Sequence, residues 1–295
     1  SVDLVDVAEV KEIPREISLM VYLAPEPLAE REVYVLDQFV ARGGKLILLV
    51  ETHTRRVWTA DPHDASELDR ALETWGLRTG GLVLQQPDRN WPLQVDGAQV
   101  LVAYPWFVSP NGQGNAASPV ASGIGRLVLP YASEVSLGTL PPGVEGNTLL
   151  ASPPAWVFSG VQSLHPNRRI ELQTADRAPR PLAAAVRGTL PSAWRGRPSP
   201  PLMPEAGGGD DPLAMPMSES RAGGCVVLVG DTDFVRRQWL AHGDGVTFLL
   251  NTVDWCLGGE GLASVRSRGV RLPLEGRETR VLGVRRDLFV WLLNV

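Results

Sequence analysis

Apolar and polar positions fall along the chain in blocks whose spacing names their elements. Ile17 to Ala24 (ISLMVYLA) is a compact apolar run closed by Pro25 and Pro27, and an unbroken run of that kind predicts a central strand buried on both faces. Leu28, Val33, Leu36, Phe39 and Val40 then recur at helical spacing before Gly43 and Gly44, which predicts a helix with a glycine stop. Lys45 to Val50 (KLILLV) reads as a second buried strand. Strand, helix and strand within roughly 35 residues form a βαβ unit, which requires parallel pairing of the two strands.

Downstream, Ala65 to Trp75 places Leu68, Leu72 and Trp75 on one helical face, with Gly76 just past the end. Gly81 to Leu84 follows as a short strand. From about residue 90 to Trp156 the pattern changes to short β-like pieces (QVLVAYPWFV, GRLVLPYASEV, NTLLAS) separated by Gly, Pro and Asn. Residues 196–224 carry little periodic apolar signal and many Pro and Gly, and so predict a long mobile loop, more simply a tolerated surface insertion than a functional one. Cys225 to Val229 (CVVLV) is a third apolar strand, ended by Gly230-Asp231-Thr232-Asp233-Phe234, and Gly245 to Leu257 reads as a helix with Phe248, Leu249, Val253 and Trp255 mostly inward. The expected fold is α/β, with a parallel-sheet core and a mixed β elaboration. The expected division is 1–90 as the βαβ core, 91–195 as the elaboration, 196–224 as the loop, 225–268 as a return to the sheet and 269–295 as a C-terminal segment.

Composition narrows the function classes. The 295 residues are 44% hydrophobic and 21% charged, a globular balance with ample core. A net charge of -5 lacks the positive excess that phosphate backbones demand, so no nucleic-acid partner is expected. Two cysteines and four histidines without ligand spacing give no His/Cys metal centre, and no cofactor is expected. So few cysteines suit either a reducing cytosol or a periplasm that uses few disulfides. The chain opens on Ser1 in strand-like sequence and so reads as a piece of something longer. Near its end, Arg285 and Arg286 precede the apolar run Leu288 to Leu293, which is either the entrance of a membrane helix or an amphipathic terminal helix.

Candidate chemistry sits where strands end, because open parallel sheets take up ligands in the crevice beyond their carboxyl ends. Glu51 follows KLILLV, and Asp231 and Asp233 follow CVVLVG. The two aspartates can hold Mg²⁺ or a substrate hydroxyl, or they can cap the next helical turn, and the capping reading is preferred. Cys225 opens its strand and Cys256 lies late in a helix, so both read as buried, inert thiols and not as nucleophiles on a strand-end turn. GxSxG, GxGxxG and GxxxxGK[ST] do not occur, so Ser catalysis, a dinucleotide fingerprint and ATP hydrolysis by this chain lack a motif. Trp91, Trp106 and Trp156 can form an aromatic platform for a sugar or peptide, or fill gaps beneath their loops.

The segment IPREISLMVYLAPEPLAEREVYVLDQFVARGGKLILLVE (13–51) resembles the corresponding stretch of GldG-type auxiliary proteins of gliding-motility ABC transporters. The similarity continues in 72–88, 148–157 and 226–268, in the family's order, and is most specific in Gly230, Asp231, Asp233, Phe234, Asn251 and Trp255. Glu51 stands where that family usually has Asp, and the 196–224 insertion is long. The resemblance implies a flavodoxin-like or class I glutamine amidotransferase-like core outside the cytoplasm (periplasmic or on the outer face of the inner membrane). It further implies tethering by flanking membrane helices and association with ABC permease and ATPase subunits. The expected function is a non-catalytic module that binds a partner or an exported polysaccharide or peptide, with Glu51, Asp231, Asp233, Asn251 and Trp106 as candidate contacts. A hydrolase of amidotransferase-like fold and a carbohydrate-binding module are the alternatives.

Overall fold

A computed structural model of the chain describes residues 6–258, apart from 96, 111–117, 171, 173, 218, 219, 241 and 242. The predicted C-terminal segment 269–295, its apolar run and the end of the 225–268 return lie outside the described residues. The elements are β1 (Leu19–Ala24), α1 (Glu30–Ala41), β2 (Lys45–Val50), β3 (His53–Arg56), β4 (Thr59–Pro62), α2 (Glu67–Trp75), β5 (Leu77–Gln85), β6 (Trp91–Val95), β7 (Ala98–Val102) and β8 (Phe107–Val108). They continue with β9 (Leu129–Pro130), β10 (Ser133–Leu137), β11 (Val144–Phe158), β12 (Gln162–Ser163), β13 (Ala178–Gly188), β14 (Gly224–Val229), α3 (Arg237–Leu240) and α4 (Gly245–Cys256).

The core is one mixed seven-stranded sheet in the order β1-β2-β14-β13-β11-β5-β10. Its first three strands run parallel, joined as β1 to β2 and β2 to β14, and the remaining four pair antiparallel. The fold is therefore mixed α/β. Strand alternation sorts the side chains: Leu46, Leu48, Val226 and Leu228 face the layer of α1 and α2, while Ile47, Leu49, Val227 and Val229 face the layer that contains α4. Every residue of β14 is buried, as expected of a strand covered on both faces.

Two helix termini carry their own signals. Ser66 accepts the Asp69 N–H at 3.3 Å while the Asp69 carboxylate accepts the Ser66 N–H at 2.8 Å, a reciprocal cap that starts α2. Gly76 closes the same helix at φ +90°, a left-handed conformation that a side chain disfavours.

Three elements differ from the sequence expectation. The run 17–24 forms the edge strand β1, not a central one, and only Met20 and Ala24 of it are buried; an apolar run reports cover above and below but not a missing neighbour alongside. Residues 91–195 do add antiparallel strands to the main sheet, but as β11 and β13, of 15 and 11 residues, in place of the short pieces expected. Their prolines disguise that length, and register shifts between Thr148 and Pro154 accommodate them. The Pro/Gly-rich stretch 196–224 is fastened along α1: the buried Arg31 guanidinium donates to both Asp211 oxygens at 2.9 and 2.8 Å, and the Tyr34 hydroxyl donates to Leu213 O at 2.7 Å. Gln38 Oε1 also accepts the Met217 N–H at 2.7 Å.

Candidate functional site

Because β1, β2 and β14 are parallel, their carboxyl ends share one edge, where Ala24 aligns with Val50 and Leu49 with Val229. Glu51 and Gly230-Asp231 therefore leave neighbouring strands side by side. Gly230 is required there by space: a Cβ at this position would stand 2.1 Å from Ser133 O, and the same two residues are tied by a Ser133 N–H to Gly230 O bond of 2.7 Å.

The structure brings Glu51, Asp231 and Asp233 together and adds partners to each. Glu51 Oε1 accepts the Thr232 N–H at 3.0 Å and the Thr232 hydroxyl at 2.8 Å. Asp231 Oδ1 accepts the N–H groups of Asp233 and Phe234 at 2.6 and 2.9 Å, which caps the 3₁₀ turn Asp233–Val235. Asp233 does not cap. Its Oδ2 receives Arg55 Nη1 at 2.6 Å and its Oδ1 lies 3.0 Å from Arg236 Nε. Arg55 comes from the β3–β4 hairpin, with Nη2 3.9 Å from Glu51 Oε1 and its guanidinium 4.5 Å over the Tyr131 ring. Tyr131 sits at φ +60°, a conformation that costs energy in a bulky residue.

Burial governs the charges. It pushes the Asp231 carboxyl well above the ordinary aspartate value, reinforced by Glu51 and Asp233. Burial also raises Glu51 to about 7, opposed by Arg55 and reinforced by Asp233. Burial acts to lower Arg55, but Glu51 and Asp233 outweigh it and hold the guanidinium charged. Three acids thus crowd one strand-end rim, and the guanidinium groups of Arg55 and Arg236 supply the opposing charge.

Beside the cluster, the rim opens into a cavity of about 300 Å³ lined in part by Glu51, Thr52, His53, His63, Asp64 and Asp69. The Thr52 hydroxyl lies 2.7 Å from His53 Nδ1 and 2.5 Å from Ser133 Oγ. Burial, with His63 adding, holds His53 down to about 4, so its imidazole is neutral at neutral pH. His53 Nε2 is buried and meets no hydrogen-bond partner among the described residues. Neither Lys nor Arg is among the residues lining the cavity, so its polar wall offers acids, hydroxyls and neutral imidazoles. Among the described residues no cluster of three or more His, Cys, Asp or Glu is placed to hold a metal ion.

Two predicted contacts lie elsewhere. Asn251 is buried on α4, where its amide donates to Val120 O and Ser122 O at 3.1 and 2.8 Å, which fixes the helix to the 118–122 turn. Trp106 is 2% exposed and meets Phe158 edge-on. Trp91 and Trp156 are also buried, and Trp91 stands edge-on to Phe107 and Trp239. The aromatic platform is thus corrected: these indoles fill an aromatic core beneath the β6–β7 hairpin and present no flat face to a sugar. Arg55, Thr52, His53, Thr232 and Tyr131 went unseen in the sequence. For Arg55 the available signal was its place four residues after Glu51, at the start of a hairpin.

The sequence model of a family described as "ABC-type uncharacterized transport system" matches residues 1–252. No curated protein matches the chain. Among solved structures, one titled "mmIFT52 N-terminal domain" is similar at 14% identity and a TM-score of 0.42, covering 82% of this chain and 78% of that one. No helix among the described residues is long and apolar enough to cross a membrane.

Proposed function

Since the chain belongs to the ABC-type uncharacterized transport system family, as an auxiliary component of such a system, we propose that it is a non-catalytic, extracytoplasmic module of the GldG type. On this reading it is tethered by flanking membrane helices, docks on the permease and ATPase subunits, and serves a gliding-motility apparatus. The flavodoxin-like or amidotransferase-like descent of its parallel β1-β2-β14 core belongs to the same proposal. The observation that carries the reading is the state of the strand-end acids. Asp231 Oδ1 is taken by two backbone N–H groups and Asp233 is paired with Arg55 and Arg236, an arrangement that shapes a rim and leaves neither aspartate beside a nucleophile. The adjoining cavity, with acids and neutral imidazoles on its wall, suits a hydroxyl-rich or amine-bearing ligand, a polysaccharide or a peptide, better than a phosphate.

The test is purification of the tagged full-length protein from detergent-solubilised membranes. The permease and the ATPase are expected to co-elute in fixed ratio, and elution of the protein alone would contradict the reading. One observation favours a hydrolase instead: the Thr52–His53 contact inside the cavity. Turnover of ester or amide substrates by the purified chain, lost in Thr52→Val, would establish that alternative.

A further inference from the structure

Cys225 and Cys256 face each other across a seam, one near the start of β14 and the other at the end of α4. Both are buried and unbonded, yet the Cys256 thiol donates to Cys225 Sγ at 3.0 Å. Two sulfurs this close need to approach by only about 1 Å more to reach bonding distance. The surroundings distinguish the pair. Arg187 is the cross-strand neighbour of Cys225, and its guanidinium stacks on the Trp255 ring at 3.4 Å and donates to Trp255 O. A fixed cation therefore stands beside the two sulfurs, the setting that favours a thiolate.

We propose that Cys225 and Cys256 form an intramolecular disulfide by thiol–disulfide exchange, clamping α4 to the central strand β14. The inference does not depend on the transport reading and stands or falls separately. The co-reactant is a low-molecular-weight disulfide, such as oxidised glutathione, or the disulfide of a thiol oxidoreductase. The Cys225 thiolate attacks one sulfur of that disulfide, breaking its S–S bond and releasing one thiolate. Cys256, deprotonated in turn, attacks Cys225 Sγ, forms the intramolecular S–S bond and expels the second thiolate. Two protons from the cysteine thiols end on the two released thiols, and two electrons pass from the cysteine pair to the co-reactant.

The order of attack follows from the electrostatics. Cys225 is held below the ordinary thiol value, first by the hydrogen bond from Cys256 and also by Arg187, against burial. Cys256 is pushed up, first because it donates that bond and then by burial. Entry for the co-reactant is at the end of α4, where Leu257 is 52% exposed beside Cys256. The exchange requires this last turn to open far enough for the co-reactant to reach the two buried sulfurs, and the closed bond would then hold the turn in place.

The experiment incubates the folded chain under native conditions with a glutathione buffer dominated by the oxidised form. The chain is then unfolded, treated with N-ethylmaleimide and weighed by intact mass spectrometry. The expected result is no maleimide adduct before reduction and two after it, with a peptide containing Cys225 linked to one containing Cys256. Cross-linking a loop of 31 residues should also raise the melting temperature by about 5–10 °C over the reduced protein. Cys256→Ser is expected to trap glutathione on Cys225 and to abolish that difference. Two adducts without reduction, or a disulfide found only between molecules, would overturn the proposal, and these readings come from the unmutated chain whether or not the variant folds.

Discussion

Replacing Glu51 by Gln gives the sharpest test of the strand-end electrostatics. Burial moves this carboxyl from 4.5 to about 7 in the folded protein, so between those pH values the folded state holds a proton that the unfolded state has released. Stability from this group is thus full below about pH 4.5 and declines as pH rises through 7. At about 1.4 kcal/mol per tenfold change in proton affinity, the loss by pH 8 amounts to about 3 kcal/mol. Gln cannot ionise but keeps an oxygen for the two Thr232 bonds, so the variant escapes the decline. Urea unfolding of both proteins from pH 5 to 8, with free energies taken by linear extrapolation, should show the stability of Glu51→Gln relative to the parent rising with pH by about 2–3 kcal/mol. A difference that stays flat across the range would refute the assignment of a raised value to Glu51.

Other substitutions separate the roles of neighbouring groups. Arg55→Met removes the cation from Asp233 and Glu51 while preserving bulk over Tyr131, and should cost about 3–5 kcal/mol at pH 8 in the same urea assay, with a smaller loss at pH 5 as Glu51 protonates. Gly230→Ala places a Cβ against Ser133 O and should cost at least about 1–3 kcal/mol by thermal or urea melts. Trp106→Ala should lower stability by about 3–5 kcal/mol through the cavity it leaves, and isothermal titration with oligosaccharides should give the same result with and without the indole.

How far the sequence could be read follows from which forces act locally. β2, β14, α1, α2 and α4 declare themselves because layers on both faces demand unbroken apolar runs from the strands, and each helix shows its periodic face and a glycine stop. β11 and β13 are concealed because Pro153, Pro154, Pro179 and Pro181 interrupt the pattern, and only the register shifts between paired strands reveal that a proline can be carried there. The edge place of β1 is a property of the whole sheet and leaves no mark on its own residues. At the site, Glu51 and the two aspartates were legible because parallel strands deliver whatever follows them to a common rim. Arg55 and Tyr131 were not, since one arrives from a hairpin and the other from the approach to β10, and only tertiary packing sets an arginine over that ring. Asn251 and Trp106, both polar-bearing side chains in suggestive positions, turned out to hold α4 and an aromatic core.

The most direct measurement of the central claim, that this chain acts through association and not through chemistry of its own, is ATP hydrolysis by the permease–ATPase complex in proteoliposomes titrated with the purified full-length protein. The account predicts a saturable change in ATPase turnover that levels off at a fixed stoichiometry, with no turnover of ester, amide or glycoside substrates by the chain alone. An ATPase rate indifferent to the added protein, together with substrate hydrolysis by the isolated chain, would contradict it.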